Sequence, residues 1–104
     1  MLVLLKATYP PSSAKSAIDI FMSPETPKRS AASKEIASFA YGDSAGYHGL
    51  FILEVEDAKF PEFLQAQVAR NTYMQSRVQG LQVEVIPGHS VMDTIGLVSK
   101  HLPK

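Results

Sequence analysis

Three short apolar runs, Met1–Leu5, Leu50–Val55 and Leu81–Ile86, constrain this chain more than any other feature. Each has the length of a single strand, and segments with apolar residues at helical spacing separate them. A chain organised this way builds a sheet with helices packed on it. The runs are apolar on more of their surface than one layer of helices covers. The sheet is therefore expected to have a second partner.

Leu2–Tyr9 reads as the first strand, with Val3, Leu5 and Ala7 on one face and Leu2, Leu4 and Lys6 on the other. Pro10-Pro11 ends it, and Ser12 or Ser13 is expected to cap a helix. Ala14, Ala17, Ile18, Phe21 and Met22 follow at the spacing of a buried helical stripe, and Pro24 stops it. Ser23–Ser33 contains two prolines and no large apolar residue, and reads as a surface loop with room for a helical turn near Lys28–Ser33. A loop this long in a small domain is either functional or mobile.

Glu35–Tyr41 alternates, with Ala37, Phe39 and Tyr41 on one side. Gly42-Asp43-Ser44-Ala45-Gly46 supplies turn residues, and Tyr47–Glu56 is the longest strand, so the two form a hairpin. Phe51, Leu53 and Val55 share one face of that strand; His48, Leu50, Ile52 and Glu54 share the other. Pro61 lies near the start of a second helix that runs to about Val78, with Gly80 as its stop. In the last strand, Leu81, Val83 and Val85 oppose Gln82, Glu84 and Ile86. Ser90–Asp93 resembles a capping box for a final helix with Val91, Ile95, Val98 and Leu102 on one stripe. Gly96 weakens that helix by roughly 1 kcal/mol relative to Ala, so docking is expected to hold it.

The 104 residues suffice for one domain, 1–104, and no repeat or composition break divides them. Formal net charge is zero and the basic residues are dispersed, which argues against a nucleic-acid partner. Without cysteine, neither a disulfide framework nor thiolate zinc ligation is open to the chain. The N-terminal apolar run is too short for a signal peptide and nothing approaches a membrane span, so a cytoplasmic protein is expected.

The element order, strand, helix, strand pair, helix, strand and a trailing helix, is that of an α+β ferredoxin-like βαββαβ sandwich with an antiparallel four-stranded sheet. In that order the first strand lies between the third and the fourth. Val3, Leu5, Phe51, Leu53, Val83 and Val85 would then carry the helices. Leu2, Leu4, Leu50, Ile52 and Ile86, mixed with Lys6, Glu54, Glu84 and His48, would form the opposite face. Lys6 would have carboxylate neighbours on both sides, and cross-strand ion pairs are the simplest account of these charges. The mixture is too apolar for open water and too charged for a sealed core, which suits a partly wet homodimer interface.

Motif matches narrow the chemistry. Gly42–Gly46 is formally G-x-S-x-G, but a nucleophile needs a strand-to-helix turn and this segment joins two strands. His48, His89 and His101 show no metal-ligand spacing, so no metal and no cofactor are expected. His48 is either a buried, hydrogen-bonded strand residue or a ligand contact. The second helix is more informative. Phe60, Phe63, Leu64, Met74 and Val78 define its buried stripe, and Gln67 and Asn71 lie at the stripe's centre. Buried amides need partners. Either the protein or solvent satisfies them, or the helix rotates to wet them, or they line a cavity and orient a ligand. Arg70, at the stripe's edge, is placed to meet an anionic group or solvent. Tyr41 and Tyr47 flank the hairpin turn and are candidates to gate a pocket; Tyr73 points away from the stripe.

Met1–Pro11, Gly46–Asp57 and Leu81–Pro87, with the length and the trailing helix, resemble the dimeric α/β-barrel superfamily of ferredoxin-like proteins, in particular its small uncharacterised bacterial members. The resemblance implies two sheets packed face to face across a dimer, with pockets between sheet and helices. It also implies the chemistries found there: cofactor-independent monooxygenases, isomerases and haem-handling enzymes. One monooxygenase pattern combines Asn, Trp and His, and this chain has no Trp.

The expected function is therefore the binding of a small apolar or amphipathic, fatty-acid-like molecule between the second helix and the sheet. Gln67, Asn71 and Arg70 would be its polar points, with Tyr41, Tyr47, His48, Phe51, Phe63 and Met74 around them. The alternatives are a cofactor-independent monooxygenase or isomerase, which needs an acid or base in the pocket, and a structural or interaction subunit, which needs no cavity.

Overall fold

The computed structural model describes residues 1–101. Leu102, expected on the last helical stripe, lies outside them. The strands are β1 (Leu2–Tyr9), β2 (Ser33–Asp43), β3 (Gly46–Val55) and β4 (Gln82–Gly88); the helices are α1 (Ala14–Met22), α2 (Phe60–Gln75) and α3 (Val91–His101). All pairings are antiparallel and the sheet order is β2-β3-β1-β4. This is a mixed α+β fold with one open four-stranded sheet. Pro87 falls inside β4, which is tolerable because β4 is an edge strand.

The alternation in β1 sorts the sheet into two faces. Val3, Leu5 and Ala7 are buried under the helices. Val3, Leu5, Leu53, Val55 and Phe63 form one half of the core, with Phe51 and Val85 packed against it. Ala7, Ala17, Met74, Val78 and Leu81 form the other, edged by Tyr9, Phe21, Tyr73 and Val83. Tyr73 thus packs on the core edge, with the Arg77 guanidinium 3.6 Å over its ring, rather than pointing away.

The two docked helices are turned relative to their expected stripes. In α1 only Ala17 is buried, while Ile18 is 56% and Met22 79% exposed. The edge carrying Ala17, Ile20 and Phe21 faces in, because the small Ala17 lets the helix approach the sheet. Neither Ser12 nor Ser13 caps it; Pro11–Ser13 is a 3-10 turn, and the Ser13 hydroxyl donates to Gln79 O at 2.6 Å. In α2 the buried positions are Phe63, Gln67, Asn71 and Met74, with Leu64 exposed. The helix ends at Gln75, and Val78 is buried beyond it. Near Lys28–Ser33 the chain makes a single hydrogen-bonded turn, Ser33 N to Ser30 O at 3.1 Å, and no helix.

The other sheet face carries no helix. Across it, Ala37, Ile52, Leu4 and Ile86 form one row through all four strands. The next row is Phe39, Leu50, Lys6 and Glu84, and the next is Tyr41, His48, Thr8 and Gln82. Lys6 therefore has one carboxylate neighbour, Glu84, and not two. Glu54 stands opposite Leu2 and Lys34. A bulge at Ile36 shifts the β2 register and brings Lys34 opposite Glu54, while the β1–β3 register sets Glu54 beside Leu2 rather than Lys6. Lys6 takes no part in the ion pairs among the described residues.

α3 departs from expectation. Its hydroxyl cap forms, with Asp93 N donating to Ser90 Oγ at 3.1 Å, but no α3 residue is buried. Val91 and Met92 are three-quarters exposed, and Ile95, Leu97 and Val98 about half. Among the described residues the stripe is not buried against any other element.

Candidate functional site

A cavity of about 220 Å³ lies between α2 and the helix-bearing sheet face. Leu5, Ala7, Phe51 and Val83 come from three strands, Phe21 from α1, Gln67, Arg70 and Met74 from α2, and Arg29 from the loop before β2. The strand alternation that aims Leu5 and Phe51 at the core also aims them here, where the turned α1 presents Phe21 instead of Ile18. Most of the lining is apolar, with three polar side chains, the composition of a small-molecule site.

Gln67 is 2% exposed. Its Nε2 donates to Asn71 Oδ1 at 2.7 Å, one helical turn on. Its Oε1 is buried and has no partner among the described residues. A buried acceptor left this way costs about 1–3 kcal/mol. Arg70 donates from Nη1 to Pro27 O at 2.7 Å, which ties α2 to the loop. Burial, and then the nearby Arg29 guanidinium, lower the Arg70 pKa from its ordinary value. An arginine nevertheless stays charged in a protein. Arg29 donates from Nη1 to Glu35 Oε1 at 3.0 Å and lies 4.8 Å over the Phe51 ring.

Comparison with protein-family models, with curated proteins and with solved structures finds no match for this chain. The geometry alone therefore carries the reading.

The candidate residues divide. Gln67, Arg70, Phe51 and Met74 line the cavity, and Asn71 is bonded to Gln67. Phe63 is wholly buried in the neighbouring core against Val3 and Leu53. Tyr41, Tyr47 and His48 do not line the cavity. Tyr47 packs beside Tyr9 with ring centroids 5.7 Å apart, at the hairpin end of the sheet. Tyr41 stacks on His48 at 4.6 Å and 16° on the helix-free face, because strand parity puts both opposite the cavity.

His48 is a buried, hydrogen-bonded strand residue. Its Nε2 lies 2.8 Å from Asp43 Oδ1 and its Nδ1 3.0 Å from Thr8 Oγ1. Asp43 Oδ1 also accepts from Ala45 N at 2.8 Å, so it pins the turn that its own chain direction creates. These bonds, led by the one to His48, hold the Asp43 carboxyl below its usual range. The G-x-S-x-G glycines serve that turn. Gly46 has φ +132° in a place where a Cβ would lie 2.4 Å from Tyr9 O. Among the described residues no group of three or more His, Asp or Glu side chains is placed to hold a metal ion, and no helix is long and apolar enough to cross a membrane.

Leu5, Ala7, Phe21 and Val83, expected only as core, also line the cavity, and Arg29 is the polar site residue that the sequence reading missed. It follows two prolines in an aperiodic loop, so neither helical nor strand spacing places it. The only signal was the length of that loop, which is unusual without a function.

Proposed function

We propose that this protein binds a small apolar or amphipathic molecule in the cavity between α2 and the sheet. The observation that carries the reading is Gln67 Oε1, a buried acceptor on the cavity wall with no partner among the described residues. A ligand donor would satisfy it, while Phe51, Phe21 and Met74 would cover the ligand's apolar part. Asn71 would hold the Gln67 amide in its rotamer through their hydrogen bond. Among the described residues no carboxylate, histidine or lysine lines the cavity, which favours binding over an enzyme that abstracts a proton there. Native mass spectrometry of the purified protein, followed by denaturing extraction, tests this. A stoichiometric small molecule released on unfolding is the expected result, and a mass equal to the bare chain under gentle and harsh conditions alike would count against it.

The second reading concerns assembly. A ferredoxin-like domain that dimerises through its sheet, as in the dimeric α/β barrels, accounts for the helix-free face. The row Ala37, Ile52, Leu4 and Ile86 crosses that face, with Ile52 38% and Ile86 45% exposed. The exposed apolar residues of α3 favour the same reading. Contiguous apolar surface of this kind marks an interaction site.

A further inference from the structure

Resting on the pocket reading above, we infer that the ligand is a short organic acid whose carboxylate is clasped by Arg29 and Arg70. Arg29 Nε and Gln67 Oε1 are the buried side-chain polar atoms without a partner in the protein, among the described residues, and both residues line the one cavity. One is a donor and the other an acceptor, so they do not call for the same ligand group. The donor belongs to a guanidinium, whose planar fork suits a carboxylate.

The charge balance points the same way. Two guanidiniums meet at this cavity, and the single carboxylate bonded to either is Glu35, on Arg29. Arg70 has only a backbone carbonyl. Two like charges brought together and partly buried are unfavourable unless an anion joins them. The loop does not bring Arg29 there by accident of packing alone. Pro27 O takes the Arg70 bond, Thr26 Oγ1 donates to Ile20 O at 2.5 Å, and Arg29 covers the Phe51 ring. An anion between the two arginines would therefore bind α2 and the loop together.

The volume limits the rest of the molecule. A dry cavity of about 150 Å³ takes benzene. At about 220 Å³ this one takes a phenyl ring or short alkyl chain with a small acidic head and one hydroxyl to donate to Gln67 Oε1. That amounts to roughly nine non-hydrogen atoms on the same scale.

Titration calorimetry with three matched pairs, each carrying a hydroxyl for Gln67 Oε1, tests the inference: 4-hydroxybenzoate and 4-hydroxybenzamide, 4-hydroxyphenylacetate and 4-hydroxyphenylacetamide, 6-hydroxyhexanoate and 6-hydroxyhexanamide. Within a pair, shape is nearly constant and charge is not. The best-fitting acid is expected to bind at least about tenfold more tightly than its amide, the scale of a charge-assisted hydrogen bond. In the Arg29→Gln/Arg70→Gln variant that advantage is expected to vanish. Acid and amide binding equally to the unaltered protein would overturn the arginine clasp while leaving the pocket reading in place. Failure of every member of every pair to bind would overturn both. The comparison within the unaltered protein does not depend on how well the variant folds.

Discussion

Gln67 and Asn71 share one hydrogen bond of 2.7 Å inside the core side of α2, and the Gln67 acceptor is left over. Two amides on a buried helical stripe oppose stability unless they serve recognition. Replacing both by Leu removes the orphaned atom together with its neighbour. The Gln67→Leu/Asn71→Leu protein is expected to be as stable as the parent or more so, by up to about 1–3 kcal/mol, while losing ligand affinity. Asn71→Leu alone strands the Gln67 amide and is expected to cost about 1–3 kcal/mol. Urea denaturation of the three proteins reads both effects, and a double variant much less stable than the single one would contradict the account.

The Asp43–His48 bond has a pH signature. Asp43 titrates below its ordinary value of 3.8 when folded, chiefly because His48 bonds its carboxylate. A group with a depressed folded pKa adds stability above its unfolded value, and that stability is lost as pH falls through the folded one. The stability difference between the parent and Asp43→Asn is thus expected to be constant at neutral pH and to shrink in acid, below about pH 4. Thermal melts from neutral to acidic pH measure it; a difference that stays the same in acid would contradict the assignment.

Two glycines should respond oppositely to alanine. At Gly46 the new Cβ meets Tyr9 O in a backbone conformation with φ +132°, and a loss of at least about 1–3 kcal/mol is expected. At Gly96 nothing lies within 4 Å, so Gly96→Ala is expected to strengthen α3 by about 1 kcal/mol locally and to leave global stability unchanged. Amide exchange in α3 and thermal melts separate the two effects.

The helix-free sheet face gives a test of assembly. Light scattering at micromolar concentration is expected to show a dimer, and Ile52→Glu is expected to give a monomer with an unaltered circular dichroism spectrum. Ile52 is exposed within its own chain, so the change leaves the core intact. A monomeric parent protein would contradict the proposed interface.

How far these features were legible depends on what encodes them. Period-two alternation marked the strands and both sheet faces, since Val3, Leu5 and Leu53 could be buried in only one way. The Gln67–Asn71 pair was legible for the same reason, as polar residues in register with Phe63 and Met74. The rotation of α1 was not, because Ala17 and Ile18 are adjacent and helical spacing alone does not say which faces in. Strand parity already set His48 on the face away from the helices, so grouping it with the pocket went against that parity; the place of Tyr41 beside it depends on the hairpin register, which parity alone does not give. Arg29 depends on the path of a loop, which no periodicity records.

The most direct measurement follows the methionine methyls. The chain has four methionines, and Met74 is the one that lines the cavity. Met22 and Met92 are exposed by more than two-thirds and serve as internal controls. In protein labelled with ¹³C at the methionine methyl, adding the tightest-binding of the three acids is expected to shift the Met74 resonance saturably while those of Met22 and Met92 stay in place. A Met74 signal that does not move, or that moves only in step with the exposed methyls, would contradict the cavity as the binding site.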